Sequence, residues 1–152
     1  FWFILPYVPG KAAAQRTEEQ YPAVSVEKNK LMILIAEDND SNYRLFESIL
    51  RKEYTLLHAW NGQEAVEIYR QHRPHLVLMD INMPVMNGYE ATAEIRKLSE
   101  SVPIIAVTAF AFASDEQKVL QSGFDGYMAK PINALQLRTQ IVDMLRKHVV
   151  LL

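Results

Sequence analysis

The chain of 152 residues contains no cysteine. Disulfide bonds, thiolate zinc sites and cysteine nucleophiles are therefore excluded, and a reducing compartment is compatible with the composition. The sequence also lacks a strong charge of one sign, because its 16 Lys and Arg residues nearly balance its 18 Asp and Glu residues. The formal net charge is -2. This balance gives no electrostatic reason to expect DNA, RNA or an anionic membrane as the main partner.

No run of apolar residues approaches the roughly 20 that a helix needs to cross a bilayer. The composition, with 49% apolar and 22% charged residues, is ordinary for a globular protein. A domain of this size can bury roughly two thirds of the surface that its unfolded chain exposes. We therefore expect one domain with a sizeable core and an appendage, located in the cytoplasm.

The composition changes sharply about one fifth of the way along the chain. Residues 1–9, FWFILPYVP, form an aromatic and β-branched run that contains two prolines. Residues 10–29 are polar, mixed in charge and without a sustained apolar period, which is typical of a linker. The start at Phe1 rather than Met indicates a fragment of a longer protein. We expect the folded domain over residues 30–148 and a short tail at 149–152.

Apolar strand-like runs alternate with amphipathic helical stretches over the rest of the chain. The predicted strands are Leu31–Ala36, Tyr54–Ala59, Leu76–Met79, Ile104–Val107 and Gly126–Ala129. The predicted helices are Ser41–Arg51, Gly62–His72, Tyr89–Leu98, Ser114–Ser122 and Ala134–Lys147. This alternation is typical of repeated βαβ units, and the first, third and fourth strands are apolar enough to lie in the middle of a sheet. The pattern predicts an α/β fold with a doubly wound, five-stranded parallel sheet and helices on both faces.

Polar side chains stand where four of the apolar runs stop. Glu37 and Asp38 end the run ILIAED, Asp80 ends LVLMD, Thr108 ends IIAVT and Lys130 ends YMAK. In an open parallel sheet the ligand crevice lies at the carboxyl ends of the strands. Four separate runs would thus deliver three acids, a hydroxyl and an amine to one place.

Each of these positions has a plainer explanation when it is taken alone. An acidic pair after a strand is most often the solvated start of a helix, where carboxylates suit the positive end of the helix dipole. Asp80 opens the turn-rich segment DINMPVMNG, and an Asp in that place commonly bonds its own backbone. Thr108 and Lys130 can be an ordinary strand residue and an exposed lysine. The plainer explanations do not account for matching chemistry at the ends of four separate runs.

The set has the chemistry of a phosphoryl-transfer site. Mg²⁺ prefers oxygen ligands, so two or three carboxylates from different strand ends could bind Mg²⁺ or Mn²⁺. The cation would also relieve the repulsion between the ionised acids. Asp80 is the best candidate for the nucleophile, because a carboxylate can accept a phosphoryl group and form an acyl phosphate. Lys130 and the cation would place positive charge on the phosphoryl oxygens, and the Thr108 hydroxyl would donate to one of them.

The segment from Leu31 to Lys147 resembles the receiver domain of two-component response regulators. The resemblance rests on the acidic pair in ILIAEDND, the acceptor loop LVLMDINMPVMNGYE, the strand IIAVTAFA and the segment GFDGYMAKPI, which occur in this order. It covers about four fifths of the chain. It implies a flavodoxin-like fold with strand order 2-1-3-4-5 and a function in phosphorelay signalling.

The resemblance also implies roles for individual residues. Asp80 would be the phosphoacceptor, and Thr108 and Lys130 would bind the phosphoryl group. The Mg²⁺ ligands would be Glu37, Asp38, Asp80 and the backbone carbonyl of Asn82. The Lys130-Pro131 peptide bond would be cis, a minority state for X-Pro bonds in general. After phosphorylation Thr108 would move toward the new group, and Tyr127 would rotate into the space that Thr108 leaves. Alternatively, Tyr127 is an ordinary core or edge-strand residue without a role in switching.

The N-terminal residues favour a particular parent protein. FWFILP resembles the last strand of the ATP-binding domain of sensor histidine kinases, so residues 1–9 would end such a domain, and a strand of any other upstream domain is the alternative. EDNDSNYRLFESIL resembles receivers fused behind kinases. We therefore expect the C-terminal receiver of a hybrid sensor histidine kinase, with any membrane anchor of the parent in upstream segments.

The kinase machinery itself is not recognisable in this sequence. There is no phosphoacceptor-histidine helix and no glycine-rich ATP lid, and surface positions are expected for the four histidines, His58, His72, His75 and His148. The phosphoryl donor would be the phosphohistidine domain of a histidine kinase or a histidine phosphotransfer protein. No direct contact with nucleic acid or membrane is expected.

Two other classes of function remain open. Haloacid-dehalogenase-like phosphatases also combine an Asp nucleophile, Mg²⁺, Thr and Lys on an α/β sheet, but they usually carry a second Asp two residues after the first, where this chain has Asn82. An interaction module could dimerise through its fourth and fifth helices without phosphorylation, and a homodimer is compatible with either function. Whether the domain counts as an enzyme stays open, since it would promote only its own phosphorylation and dephosphorylation.

Overall fold

The structure is a computed structural model that describes residues 31–109 and 113–148. The predictions for residues 1–9, 10–29 and 149–152 lie outside the described residues. No helix within the two described segments is long and apolar enough to span a lipid bilayer.

Strands and helices alternate along the described chain. The strands are β1 (Met32–Ala36), β2 (Thr55–Ala59), β3 (Leu76–Asp80), β4 (Ile104–Thr108) and β5 (Gly126–Ala129). The helices are α1 (Asp40–Leu50), α2 (Gly62–His72), α3 (Gly88–Leu98), α4 (Ala113–Gln121) and α5 (Ala134–His148). All ten predicted elements are present, and no predicted boundary differs from the observed one by more than one residue.

The strands form one parallel sheet in the order β2-β1-β3-β4-β5, which confirms the predicted topology. β3 and β4 are buried over their whole length, whereas the edge strands β2 and β5 are partly exposed. The apolar strands lie in the middle because helices cover both faces of a parallel sheet. In the register Asp80 pairs with Val107 and Thr108 with Ala129, so the strand ends meet at a common edge. We call it the carboxyl edge.

Successive strand residues point to opposite faces of the sheet, and helices cover both faces. One face packs against α2, α3 and α4 through a cluster of buried apolar side chains. Its members include Leu34, Val66, Val77, Ile95, Ile104 and Val119. The remaining helices, α1 and α5, contact each other, and Arg138 of α5 donates a hydrogen bond of 3.3 Å to the carbonyl of Ile49.

Asparagine side chains cap four helices that begin near the carboxyl edge. Asn39, Asn61, Asn87 and Asn133 each accept a hydrogen bond of 2.8 to 3.0 Å from the amide three residues later. Glu90 accepts from the amide of Asn87 at 3.0 Å and completes a capping box. Caps of this kind stabilise a helix by about 1 kcal/mol and fix where the chain turns out of each loop. The polar strand ends are therefore followed by loops of defined length.

Arg96 in α3 makes several hydrogen bonds at the opposite edge of the sheet, where the amino ends of the strands lie. Its guanidinium donates to the carbonyl of Gly123 at 2.8 and 2.9 Å, to that of Val102 at 2.7 Å and to the carboxylate of Asp125 at 2.7 Å. The same Asp125 oxygen accepts from the amide of Ile104 at 3.0 Å. One side chain thus joins α3 to the starts of β4 and β5.

We expect Arg96→Ala to lower the free energy of unfolding by about 2 to 4 kcal/mol, because several partly buried partners lose their hydrogen bonds together. Arg70→Ala is the matched control, since it breaks the exposed 2.7 Å pair with Glu67 and should cost less than about 0.5 kcal/mol. Urea unfolding of both variants measures the difference. Equal losses would show that Arg96 does not join these elements.

Candidate functional site

The five residues at the predicted site share the carboxyl edge. Glu37 and Asp38 follow β1, Asp80 ends β3, Thr108 ends β4 and Lys130 follows β5. Thr108 is buried, and its carbonyl accepts a hydrogen bond of 2.8 Å from the amide of Lys130. The sheet topology therefore brings together residues that lie up to 93 positions apart in the sequence.

The three carboxylates form one cluster. One oxygen from each of Glu37, Asp38 and Asp80 lies within 4.8 Å of the other two. Glu37 is 1% and Asp80 is 4% exposed, whereas Asp38 is exposed to solvent. Two like charges at such a separation repel by about 3 to 4 kcal/mol at the effective dielectric constant of a protein surface. The cluster therefore requires positive charge nearby.

Lys130 supplies part of that charge. Its Nζ lies 3.1 Å from Oδ2 of Asp80 and 3.1 Å from Oε1 of Glu37. Burial lowers the pKa of Lys130, but the charges of Asp80 and Glu37 outweigh burial and raise the pKa above its ordinary value. The amine is therefore protonated at neutral pH, and its ammonium pairs with two of the three carboxylates.

Burial and the neighbouring acid shift the titration of Glu37. Burial, followed by the charge of Asp80, raises the pKa of Glu37 to about 7, although the charge of Lys130 lowers this pKa in part. Near neutral pH the buried carboxylate therefore holds a proton for part of the time, and a divalent cation would compete with that proton.

The residues present fit a divalent cation. Oε2 of Glu37 accepts a hydrogen bond of 3.1 Å from the amide of Asn39. Oε1 is buried and has no well-oriented hydrogen bond within the described part of the chain, although Nζ of Lys130 is close to it. A buried carboxylate oxygen without a hydrogen bond is costly, and a cation would satisfy it. Three carboxylate oxygens together with waters suit the octahedral preference of Mg²⁺, and Mn²⁺ accepts the same ligands.

The loop after β3 fixes the Asp80 side chain. Oδ1 of Asp80 accepts a hydrogen bond of 3.1 Å from the amide of Asn82, so the plainer explanation of this residue is also correct in part. The amide of Gly88 donates to the carbonyl of Ile81 at 2.8 Å and closes the loop. A Cβ atom on Gly88 would lie 2.5 Å from the Asp80 carbonyl oxygen, so only glycine fits there. The loop thus holds Oδ1 while Oδ2 faces Lys130.

Tyr127 and Pro131 complete the predicted set. The Lys130-Pro131 peptide bond is cis, the geometry that the resemblance implied. Tyr127 lies in β5, is half-buried and packs against the apolar cluster under α2, α3 and α4. Its carbonyl accepts a hydrogen bond of 3.2 Å from Gln140. Both roles considered for Tyr127 are compatible with this position.

The prediction of surface positions is wrong for two histidines. His58 and His75 are half-buried, and the rings of both make hydrogen bonds to the main chain. The partner of His58 is the carbonyl of Glu37 at 2.9 Å, which places this ring beside the acidic cluster. His72 is exposed as predicted, and the side chain of His148 lies outside the described residues. No sequence motif signals the contact of His58, because it depends on the pairing of β2 with β1.

We expect Glu37 to make the stability of the metal-free protein depend on pH. The folded-state pKa of about 7 lies above the ordinary value of 4.5, so the folded state binds this proton more tightly than the unfolded state. Its contribution is full below the ordinary value and is lost as the pH rises through about 7. Glu37→Gln should therefore lose less stability than the wild type between about pH 5 and pH 8.

Urea unfolding in the presence of a chelator measures the two pH profiles. Glu67→Gln is the control, because the pair that Glu67 forms with Arg70 is exposed and its variant should follow the wild-type profile. A Glu37→Gln profile parallel to that of the wild type would contradict the electrostatic account of the cluster.

Comparison with known sequences identifies the family. The sequence model described as the response regulator receiver domain matches residues 33–142. The polar-differentiation response regulator DivK of Brucella anthropi is 40% identical over 104 residues, which make up 66% of this chain and 85% of the relative.

Solved structures agree with this match. One similar structure is the receiver domain of a sensor histidine kinase from Pseudomonas aeruginosa PAO1, with magnesium in its active-site cleft. It is 37% identical with a TM-score of 0.68, and the match covers 76% of this chain and 95% of that one. A chain from the co-crystal of the Saccharomyces cerevisiae phosphotransfer protein Ypd1 with the receiver domain of Ssk1 is 34% identical with a TM-score of 0.73, over 80% of this chain and 94% of that one. The predicted fold and family are confirmed. The chain belongs to the response regulator receiver domains of two-component signalling.

Proposed function

We propose that this domain takes a phosphoryl group from a phosphohistidine of a partner protein onto Asp80, and that phosphorylation switches its conformation. The observation that supports this most is the position of Asp80. Its carboxylate is buried at the carboxyl edge, 3.1 Å from the ammonium of Lys130 and within 4.8 Å of the oxygens of Glu37 and Asp38. A nucleophile, a positive charge and a set of cation ligands thus lie within reach of one another.

The reaction needs little covalent chemistry from the protein. A carboxylate oxygen of Asp80 forms a bond to phosphorus as the bond between phosphorus and the imidazole nitrogen of the donor breaks. The electron pair of that bond stays on the imidazole, which then takes up a proton from water. The product is an acyl phosphate on Asp80. Phosphoryl transfer of this kind depends mainly on alignment and on charge stabilisation.

The positive charge comes from Lys130 and from a bound cation. Nζ of Lys130 already lies 3.1 Å from Oδ2 of Asp80 and would remain next to the transferred group. Mg²⁺ or Mn²⁺ would be held by the carboxylates of Glu37, Asp38 and Asp80 and by the carbonyl of Asn82. When bound, the cation supplies positive charge to the phosphoryl oxygens. The buried Oε1 of Glu37, which lacks a well-oriented partner in the described chain, supports this assignment.

A phosphohistidine donor agrees with the comparisons. One similar solved structure pairs a receiver domain with a histidine phosphotransfer protein, and another is the receiver domain of a sensor histidine kinase. The second likeness also supports the proposal that the parent of this chain is a hybrid histidine kinase. A cytoplasmic location of the domain is part of the same proposal.

The switch would follow from new hydrogen bonds to the phosphoryl oxygens. Thr108 lies at the same edge as Asp80, and its hydroxyl would donate to one of these oxygens. Shifting a two-state equilibrium from 1:99 to 99:1 takes roughly 5.5 kcal/mol. Two or three charge-assisted hydrogen bonds at roughly 1.5 to 3 kcal/mol each contribute about 3 to 9 kcal/mol, a range that includes this requirement. Tyr127, which lies on the strand next to Thr108, would rotate into the space that Thr108 leaves.

We expect Asp80→Asn to abolish phosphorylation while the fold survives, because the amide is nearly isosteric and is a far weaker nucleophile than the carboxylate. The measurement is incorporation of radiolabel from phosphoramidate, a small donor with the same phosphorus-nitrogen bond as phosphohistidine. Asp40→Asn, which changes an exposed Asp paired with Arg44, is the control and should label at the wild-type rate. Retained labelling of Asp80→Asn would refute the assignment, and an unlabelled wild type would favour the interaction module that is not phosphorylated.

We expect Thr108→Val to separate phosphorylation from the switch, since valine keeps the shape of threonine but cannot donate a hydrogen bond. Adding Mg²⁺ and beryllofluoride should shift the ring signals of Tyr127 in NMR spectra of the wild type and leave them nearly unchanged in Thr108→Val. Thr92→Val is the matched control, because it removes another buried hydroxyl, one without a hydrogen bond in the described chain. An unaltered Tyr127 response in Thr108→Val would exclude Thr108 as the link.

A further inference from the structure

The main chain of Glu37 lies where β1 leaves the sheet. Its amide donates to the carbonyl of Ala59 at 3.0 Å, which adds one hydrogen bond beyond the paired strand residues. Its carbonyl accepts a hydrogen bond of 2.9 Å from Nε2 of His58. The amide that follows Asp38, that of Asn39, donates to Oε2 of Glu37 at 3.1 Å. One of these three bonds comes from a side chain of the neighbouring strand.

Two aromatic side chains fix the ring of His58. Tyr43 of α1 stacks on it with ring centroids 3.7 Å apart and planes 3° from parallel. Trp60 contacts it with centroids 4.1 Å apart and planes tilted by 42°. Since a carbonyl oxygen only accepts hydrogen bonds, Nε2 carries the proton in this contact. The stack therefore directs the N–H bond of His58 at the carbonyl of Glu37.

The carbonyl that His58 holds belongs to the peptide group between Glu37 and Asp38. A peptide group is planar, so its orientation sets one backbone torsion of each of the two residues that it joins. Both residues carry carboxylates of the cluster. A change in these torsions would displace the carboxylates of Glu37 and Asp38 relative to each other.

We propose that His58 is a positioning residue for the cation site, which acts by holding the Glu37-Asp38 peptide plane. This inference rests on the proposed function, because it assigns His58 to the cation that would take part in phosphorylation. Mg²⁺ demands nearly ideal octahedral geometry, so a small displacement of two ligands weakens its binding. Residues that orient metal ligands contribute roughly tenfold to a hundredfold to metal affinity. The lower end applies here because His58 contacts the main chain and not a ligand oxygen.

The variant His58→Phe tests the inference, because phenylalanine keeps an aromatic ring between Tyr43 and Trp60 and removes the donor. We expect the dissociation constant for Mg²⁺, measured by titration calorimetry, to rise about tenfold. Radiolabelling from phosphoramidate should slow at limiting Mg²⁺ and approach the wild-type rate at saturating Mg²⁺. His58→Gln restores an N–H donor at a similar distance along the side chain and should recover most of the affinity.

His75→Phe is the matched control, because the ring of His75 also bonds to the main chain, at the opposite end of β1. It accepts from the amide of Met32 at 3.0 Å. This variant should leave Mg²⁺ affinity unchanged. Circular dichroism and the urea midpoint in a chelator confirm that the compared variants are folded.

Three results would overturn the inference. They are an affinity of His58→Phe within about twofold of the wild type, an equal loss in His75→Phe, and no recovery in His58→Gln. If the wild type and His58→Phe bind Mg²⁺ equally well, the role of His58 is overturned but the cation site of the proposed function is not. A wild-type protein that binds no Mg²⁺ overturns the cation site of the proposed function and the role of His58 with it.

Discussion

The mutual repulsion of three carboxylates is the constraint that organises the carboxyl edge. Glu37, Asp38 and Asp80 place oxygens within 4.8 Å of one another, and two of these side chains are buried. Among the described residues, the ammonium of Lys130 at the end of β5 pairs with two of them, Glu37 and Asp80. Burial, followed by the charge of Asp80, raises the pKa of Glu37, and the remaining excess of negative charge favours a cation at this edge. Such a cluster persists only because the rest of the sheet holds its members in place.

The two edges of the sheet therefore differ in kind. At the opposite edge Arg96 satisfies several carbonyls and one carboxylate, and its hydrogen bonds join α3 to β4 and β5. At the carboxyl edge one buried oxygen of Glu37 has no well-oriented partner in the described chain, and Gly88 permits a close approach of two backbone segments. The first edge contributes stability, and the second holds mutually repelling carboxylates whose charge a bound cation would offset.

The elements, and the meeting of polar strand ends at one edge, could be predicted from the sequence because both depend on local patterns. Apolar runs bounded by polar residues mark buried strands, and the topology of a parallel sheet then brings Asp80, Thr108 and Lys130 to one edge. The pKa of Glu37 could not be predicted in this way, since it depends on burial and on the distance to Asp80. The contact of His58 with Glu37 was also missed, because it spans 21 residues and requires β2 to pair with β1. Its stacking on Tyr43 adds a third element, α1, that no single segment of sequence reveals.

In the proposed reaction the carboxylate of Asp80 carries the phosphoryl group. Borohydride reduces an acyl phosphate to an alcohol, so a phosphorylated aspartate becomes homoserine, which mass spectrometry can locate in the sequence. After phosphorylation in the presence of Mg²⁺ and reduction with borohydride, we expect homoserine at the position of Asp80 and at no other acidic residue. Reduction at Glu37 or Asp38, or a phosphoryl group that resists borohydride, would contradict this account.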